Sequence, residues 1–350
     1  MAGRLSDEKT RAPGGRSVLY FTDRRRVEVR DESLEPPGPG QALVRSELSA
    51  LSAGTELLAF RGELPRDLPV DETLAALAEG TFRYPFRYGY ASVGRVVAAG
   101  SDVAGEWIGR RVFAFQPHAS AFVAPLDDLA PVPDGLAVER AVLFPHMETA
   151  VNLILDGGPG LDDAVLVIGQ GVIGLLVTAL LARFPLAVLA VAEPNPGRAA
   201  LARRFGAHAV VDGAAPWKAL AGGRGADLIY ELSGDPRALD LAIAAAGHET
   251  RIVVGSWYGA KRAPVDLGGS FHRRRLHISS SQVSHIGAPL SARWDRARRR
   301  EATWRALAEI DTGPLVGDRV PFTDAQRAYE RADAGGSGAP QILLTHGGLA

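Results

Sequence analysis

The segment Gly169-Gln170-Gly171-Val172-Ile173-Gly174 carries the most specific chemistry in the chain. The apolar run AVLVIG leads into it and the apolar LLVTALLARF follows, so the glycines fall where a strand turns into a helix. Gly169 permits the tight turn, Gly171 lets backbone approach a pyrophosphate, and Gly174 allows close packing of helix on strand. The helix N-terminus then offers N–H groups and partial positive charge to the phosphates. Glu193 follows about 20 residues later, at the end of the next strand, where a carboxylate accepts from both ribose hydroxyls and repels a 2′-phosphate. That favours NAD over NADP. Arg198, shortly beyond it, could instead serve a 2′-phosphate and keeps NADP open.

Other chemistries are excluded by composition. There is no cysteine, so no disulfide, thiolate zinc site or cysteine nucleophile is possible. A formal net charge of -1 gives no global field to draw nucleic acid, and no apolar run of about 18 residues is present to span a bilayer. The opening MAGRLSDEKTRAPGGR lacks an apolar core like that of a secretory leader, so residues 1–16 read as a polar tail and the chain as cytoplasmic.

These residues must be held by two kinds of element. From 17 to 148 short β-like runs, QALVRSEL, YASVGRVVAAG, GRRVFAF and SAFVAP, are punctuated by Gly and Pro, the texture of a small barrel. From 149 to 288 apolar runs alternate with helical patterns: AVLVIG, AVLAVAE, HAVVD, ADLIYELSG, ETRIVVG and LHISSSQV predict parallel strands of βαβ units. The fold class is therefore α/β. The tail, 289–350, has too few apolar residues to fold alone and is expected to pack back on the first domain. Of three arginine runs, Arg298-Arg299-Arg300 lies among Glu and Asp on a predicted helix and reads as a solvated face. Arg273 to Arg275 precede the sixth strand and could flank a subunit contact or bind an acidic group; the sequence does not choose.

From about Gln41 onward the chain resembles the medium-chain dehydrogenase/reductase superfamily. The matching pieces are Ala53-Gly54-Thr55-Glu56, Gly89-Tyr90-Ala91-Ser92-Val93-Gly94, VVAAGSDV, Gly109-Arg110-Arg111-Val112, the glycine fingerprint, ELSGDPRALDLAI and LHISSSQV, in the right order. The resemblance implies a GroES-like β-barrel catalytic domain plus a Rossmann domain with a doubly wound parallel sheet, and hydride transfer in the cleft between them. It also implies a homodimer joined through the Rossmann sheet edge. Zinc-dependent members carry cysteine and histidine ligands where this chain has Ala53, Tyr90 and Ala91, and a further ligand near Phe144-Pro145. Their four-cysteine loop is also missing at Phe115-Gln116-Pro117-His118, so a zinc-free member is expected. The stretch from Ser52 to Val96 looks most like the zinc-lacking branch that includes bacteriochlorophyllide dehydrogenases.

Without a metal, protein donors must polarise the reacting oxygen. Tyr90 stands where a zinc-bound histidine would be, either as proton donor or as a space-filler beneath the nicotinamide. Thr149 takes the place of a threonine that touches the nicotinamide. His146 is a candidate acid/base, because an imidazole titrates near neutrality, with Glu148 to orient it. His118 is expected to reach the cleft, and Glu56 ends the first motif as a catalytic or a structural group. Ser233 and Gly255, after the fourth and fifth strands, fall on the cofactor side. Asp71 to Ala78 reads as a short helix that either lids the substrate or decorates the surface. The favoured activity is NAD-dependent interconversion of a secondary alcohol and a carbonyl on a medium or large small-molecule substrate. The alternatives are an NADPH-dependent quinone or enone reductase and a non-catalytic dinucleotide-binding sensor.

Overall fold

A computed structural model of the protein describes residues 14–262, 265–335 and 338–347. β1 (Gly15–Asp23) and β2 (Arg26–Ser33) form a hairpin whose tight turn puts Arg25 at φ 59. β3 (Gln41–Ala50) buries Ala42, Val44, Ser46 and Leu48 in strict alternation, the period of a strand with one face on a core. The helix α1 (Ala53–Arg61) follows and stops at Gly62, which takes the left-handed conformation at φ 67. β4 (Phe86–Arg87) extends the hairpin beside β1. β5 (Ser92–Ala99), β6 (Arg111–Ala114), β7 (Ala121–Pro125) and β8 (Leu129–Pro131) gather antiparallel around β3, which pairs with both β5 and β7. A short α2 (Val138–Ala141) and the buried α3 (Phe144–Gly157) then carry the chain across to the second half.

There β9 (Ala164–Ile168), α4 (Val172–Leu181), β10 (Val188–Ala192), α5 (Pro196–Arg204), β11 (Ala209–Val210), α6 (Ala214–Leu220), β12 (Ala226–Glu231), α7 (Ala238–Ala245), β13 (Ala246–Val254) and β14 (His277–Ser280) follow in order. The sheet is entirely parallel, in the order β11-β10-β9-β12-β13-β14. All five residues of β9 are buried, as expected of a strand covered on both faces. The strand order reverses between β9 and β12, which opens a crevice at their carboxyl ends, where ligands bind in such sheets.

The remaining chain, α8 (Arg296–Glu309), β15 (Val316–Pro321), α9 (Ala325–Asp333) and β16 (Gln341–Thr345), returns to the first sheet. β16 pairs antiparallel with β3, and β15 lies parallel to β16. Phe144 at the start of α3 packs between Phe113 of β6 and Trp304 of α8, at ring distances of 4.8 and 4.5 Å, and so ties barrel, linking helix and tail together. Burying the Phe113 and Phe144 rings contributes roughly 1.5–3 kcal/mol each.

Three expectations need correction. Asp71 to Ala78 form a turn capped by the Asp71 carboxylate, which accepts from the Thr73 and Leu74 amides, and only Ala75–Leu77 coil, as one turn of 3-10 helix. Leu74 is extended, which breaks any longer helix at its start. Arg299 is no solvated residue: it is 3% exposed and its guanidinium reaches Glu148 and Asn152 of α3. Of the tail expected over residues 1–16, residues 1–13 lie outside the described residues, whereas Gly15 and Arg16 already pair with Ser33 and Glu32.

Candidate active site

The glycine turn sits at the end of β9, directly over the strand-order reversal. Gly169 has φ 90, and a Cβ there would stand 2.6 Å from the Ser233 Cα; at Gly174 it would stand 2.1 Å from the Gly169 carbonyl oxygen. Both are closed by backbone that cannot yield. A Cβ on Gly171 would meet nothing within 4 Å. Gly171 also caps α4 without any side-chain acceptor, so the first N–H groups of the helix point into that open space. A diphosphate fits this arrangement, with Gly171, Val172 and Ile173 supplying backbone donors. The Gln170 side chain is not part of it: the amide is fully buried, donating to Gly169 O and accepting from Thr178.

Glu193 directly follows β10 and braces two loops at once, accepting from the Gln170 amide and the Asn195 amide, each at 2.8 Å. It therefore stands beside the turn with its carboxylate fixed. Arg198, the residue that keeps NADP open, donates from its guanidinium to Gly335 O at 2.9 Å. Ser233 is exposed beside the crevice, its hydroxyl and amide both held by Glu231 Oε1. Gly255 donates to Glu231 O, and a Cβ on it would lie 2.6 Å from a Leu232 methyl, so it is a close-packing position.

On the barrel side, Tyr90 follows β4 and donates from its phenol to Ser52 Oγ at 2.5 Å, with Thr55 also within hydrogen-bonding reach. Burial pushes the phenol pKa up to about 12, only partly offset by those two hydroxyls, so Tyr90 keeps its proton near neutrality. Ser52 and Thr55 are the neighbours of Tyr90 that sequence reasoning did not single out as site residues. They flank Ala53 and Gly54 in the first motif, which gave the place but not the contact.

Glu56 faces away from the cleft. It is 1% exposed and accepts from the Ser52 amide at 2.8 Å, from His118 Nε2 at 3.0 Å, and from the Tyr329 hydroxyl. Burial alone would raise its pKa, but the His118 imidazole and these hydrogen bonds outweigh it and hold the carboxyl below its usual value. His118 does not reach the cleft: it is fully buried against the Gly89 α-carbon, where a Cβ would stand 2.4 Å from the ring. Glu56 and His118 thus support Ser52 and Tyr90 from behind.

His146, in the first turn of α3, is 3% exposed, and neither ring nitrogen has a hydrogen-bond partner among the described residues. Burial pulls its pKa down to about 4, with Glu56 opposing, so the ring is neutral near pH 7 and does not titrate there. Glu148 does not orient it, being paired with Arg299 at 3.3 Å. Thr149 spends its hydroxyl on Pro145 O one turn back, leaving its methyl for any neighbour. Ala53, Ala91, Phe144 and Pro145 offer no side-chain ligand, and among the described residues no group of three or more His, Asp or Glu is placed to hold a metal ion. The residues present do not fit zinc.

A family profile described as "Zinc-binding dehydrogenase" matches residues 172–300. That span begins inside the glycine turn and excludes positions 53, 90 and 144, so its name carries no ligand to them. D-guloside 3-dehydrogenase from Escherichia coli (strain K12) is 26% identical over 324 residues, covering 87% of this chain and 91% of the relative. A short chain alcohol dehydrogenase from E. coli CFT073, complexed with NADH, superposes with a TM-score of 0.75 at 19% identity, over 95% of this chain and 99% of the other. The 2R,3R-butanediol dehydrogenase of Bacillus subtilis gives a TM-score of 0.76 at 18% identity, over 94% and 99%.

Proposed function

We propose, from the premise that the chain belongs to the medium-chain dehydrogenase/reductase superfamily and is an oxidoreductase, that it interconverts a secondary alcohol and a carbonyl with NAD and without zinc. The observation that carries the reading is the contrast among the three glycines: two are shut by backbone and the middle one faces open space under a helix N-terminus. The bound dinucleotide supplies or accepts the hydride, and the protein supplies everything around it. Glu193, already fixed beside the turn, suits two ribose hydroxyls and opposes a 2′-phosphate. The engagement of Arg198 with Gly335 argues the same way and weighs against the NADPH-dependent quinone or enone reductase.

At the reacting end Tyr90 works as a neutral donor. With a carbonyl substrate bound, the phenol turns its one proton from Ser52 Oγ to the carbonyl oxygen, stabilises the charge that develops there and gives that proton to the alkoxide left by hydride addition, and a solvent proton passed through Ser52 Oγ restores the phenol. Glu56 fixes the Ser52 amide, so the donor is preorganised. His146 stays neutral and carries no proton in this scheme. The polar hydroxyl pair argues against the sensor reading, since a cleft without chemistry gains nothing from a buried phenol. The substrate is of medium or large size, as expected from the long stretch between α1 and β4. All four residues of β14, at the sheet edge, are exposed, which suits pairing with a second copy. Relatives named as alcohol-oxidising dehydrogenases support the reaction class.

The test is calorimetry with NAD and NADP, followed by turnover on a panel of sugar glycosides, polyols, secondary alcohols and enones. The reading expects tighter NAD binding and oxidation of at least one secondary alcohol. Absence of heat with both coenzymes overturns it.

A further inference from the structure

Glu231 has no role in the scheme so far, yet it is 0% exposed at the carboxyl end of β12, one residue from the backbone that closes the glycine turn. Both of its carboxyl oxygens accept from neutral donors. Oε1 takes the Ser233 amide at 2.8 Å and the Ser233 hydroxyl at 2.5 Å, and Oε2 takes the Tyr258 hydroxyl. Among the described residues no lysine or arginine pairs with it. A carboxylate buried without a cation is costly to keep, so the bonds it makes must matter to the site.

Those bonds lead across the cleft. Tyr258 lies in the loop of residues 255–261, which the nucleotide half grips at several points. Ser256 Oγ accepts from the Gly234 amide at 2.9 Å, and Lys261 Nζ donates to Gly234 O at 3.1 Å. The same loop is pinned to the barrel half. The Ala260 amide donates to Glu63 O at 2.9 Å, Lys261 stands 3.7 Å from the Glu63 carboxylate, and the Trp257 ring lies 6.3 Å from Phe82. Gly259 needs its glycine, at φ 61 with Glu63 O only 2.7 Å from where a Cβ would be.

We propose that Glu231 is a positioning residue: through Ser233 it sets the floor of the cofactor crevice, and through Tyr258 it sets the loop that joins that crevice to the substrate half. The proposal rests on reading the crevice as a dinucleotide site. Occupancy of the glycine turn is then felt at Trp257, which reports it because the ring is partly exposed and faces Phe82 on the other half. Removing the Tyr258 hydroxyl takes away the bond from the Glu231 carboxyl to the loop while leaving Glu231, Ser233, the turn and the Ser256 and Lys261 contacts with Gly234 in place.

The experiment titrates the full chain with NAD, reading heat and tryptophan emission in parallel, with Trp257→Phe identifying the Trp257 contribution. The wild type shows a saturable emission change that Trp257→Phe lacks. Tyr258→Phe retains binding with a Kd raised up to about fivefold and loses at least half of the emission change. Glu231→Gln raises Kd by at least about fivefold, with a melting temperature close to that of wild type. If Glu231→Gln does not fold, Tyr258→Phe decides alone. Wild-type binding with no Trp257 response overturns the inference, as does a Tyr258→Phe response equal to wild type. Absence of NAD binding to the wild type instead fails the underlying reading, so the two failures are distinguishable.

Discussion

Gly171→Ala separates a glycine kept for a ligand from a glycine kept for packing. Gly171 has φ -69 and ψ -170, ordinary extended backbone, and its added methyl meets nothing within 4 Å. Alanine is a poorer N-cap than glycine by up to about 1 kcal/mol. It also removes about 0.4–1 kcal/mol of unfolded-state freedom. These offset, so stability should stay within about 1 kcal/mol of wild type. Gly169→Ala contrasts with this. At φ 90 it costs about 1–2 kcal/mol of backbone strain. The methyl, 2.6 Å from the Ser233 Cα, adds about 1–3 kcal/mol of overpacking. For binding the order reverses in origin. The Gly171 methyl would occupy the space given to the diphosphate, and losing one charge-assisted hydrogen bond costs about 1.5–3 kcal/mol, roughly 10- to 150-fold in Kd. Thermal unfolding without ligand and calorimetry with NAD, run on both variants, provide the check. If Gly171→Ala binds NAD as tightly as wild type, or is destabilised as much as Gly169→Ala, the account of the turn is wrong.

Tyr90→Phe should lower kcat/KM at least about tenfold, about 1.4 kcal/mol, with the melting temperature little changed. Because the Tyr90 pKa is raised to about 12, no limb of the wild-type pH profile below about pH 10 should belong to it; a Tyr90-dependent limb near pH 7 would contradict the neutral-donor role. His146 is held neutral down to about pH 4 in the folded chain against about 6.5 unfolded, so the unfolded state binds more protons between those values. Stability is therefore full above about pH 6.5 and is lost as the pH falls toward 4. The slope of melting temperature against pH in that window should be shallower in His146→Leu, and an unchanged slope would refute the assignment. Protein purified without chelator should hold no stoichiometric zinc by elemental analysis and should keep its activity after dialysis against EDTA. Glu193→Ala should narrow the preference for NAD over NADP in measured Kd values, and an unaltered ratio would remove Glu193 from cofactor selection.

The nucleotide half was readable because its signals are local. The run AVLVI is apolar throughout and becomes the fully buried β9; the glycines follow at once, and each position has a distinct steric reason that one residue type satisfies. The barrel half was harder to read, since its sheet is closed by pairings far apart in sequence: β16 meets β3 across roughly three hundred residues, a distance over which periodicity says nothing. The run Asp71 to Ala78 shows the limit of composition. Acidic residues before alanine and leucine resemble a capped helix, but the same Asp71 carboxylate is satisfied by two amides of a single turn, and nothing on the surface favours going further.

For the site, spacing identified the motifs but not which way their side chains face. Glu56 lies four residues past Ser52, one turn of helix, so the carboxylate returns to the Ser52 amide and points inward with Leu57 and Phe60 rather than out to substrate. His118 belongs to a segment with no period at all, and only the closure of the barrel places it under Gly89. The consequence is seen behind the Ser52–Tyr90 pair, where the chain has assembled a buried carboxylate, an imidazole and a tail tyrosine. In the proposed scheme this frame, built by three elements from distant parts of the sequence, fixes the direction of the Tyr90 phenol. Loosening any one of them, by Tyr329→Phe for example, should therefore lower kcat more than it raises KM, whereas a pure substrate-binding role for Tyr90 would move KM alone.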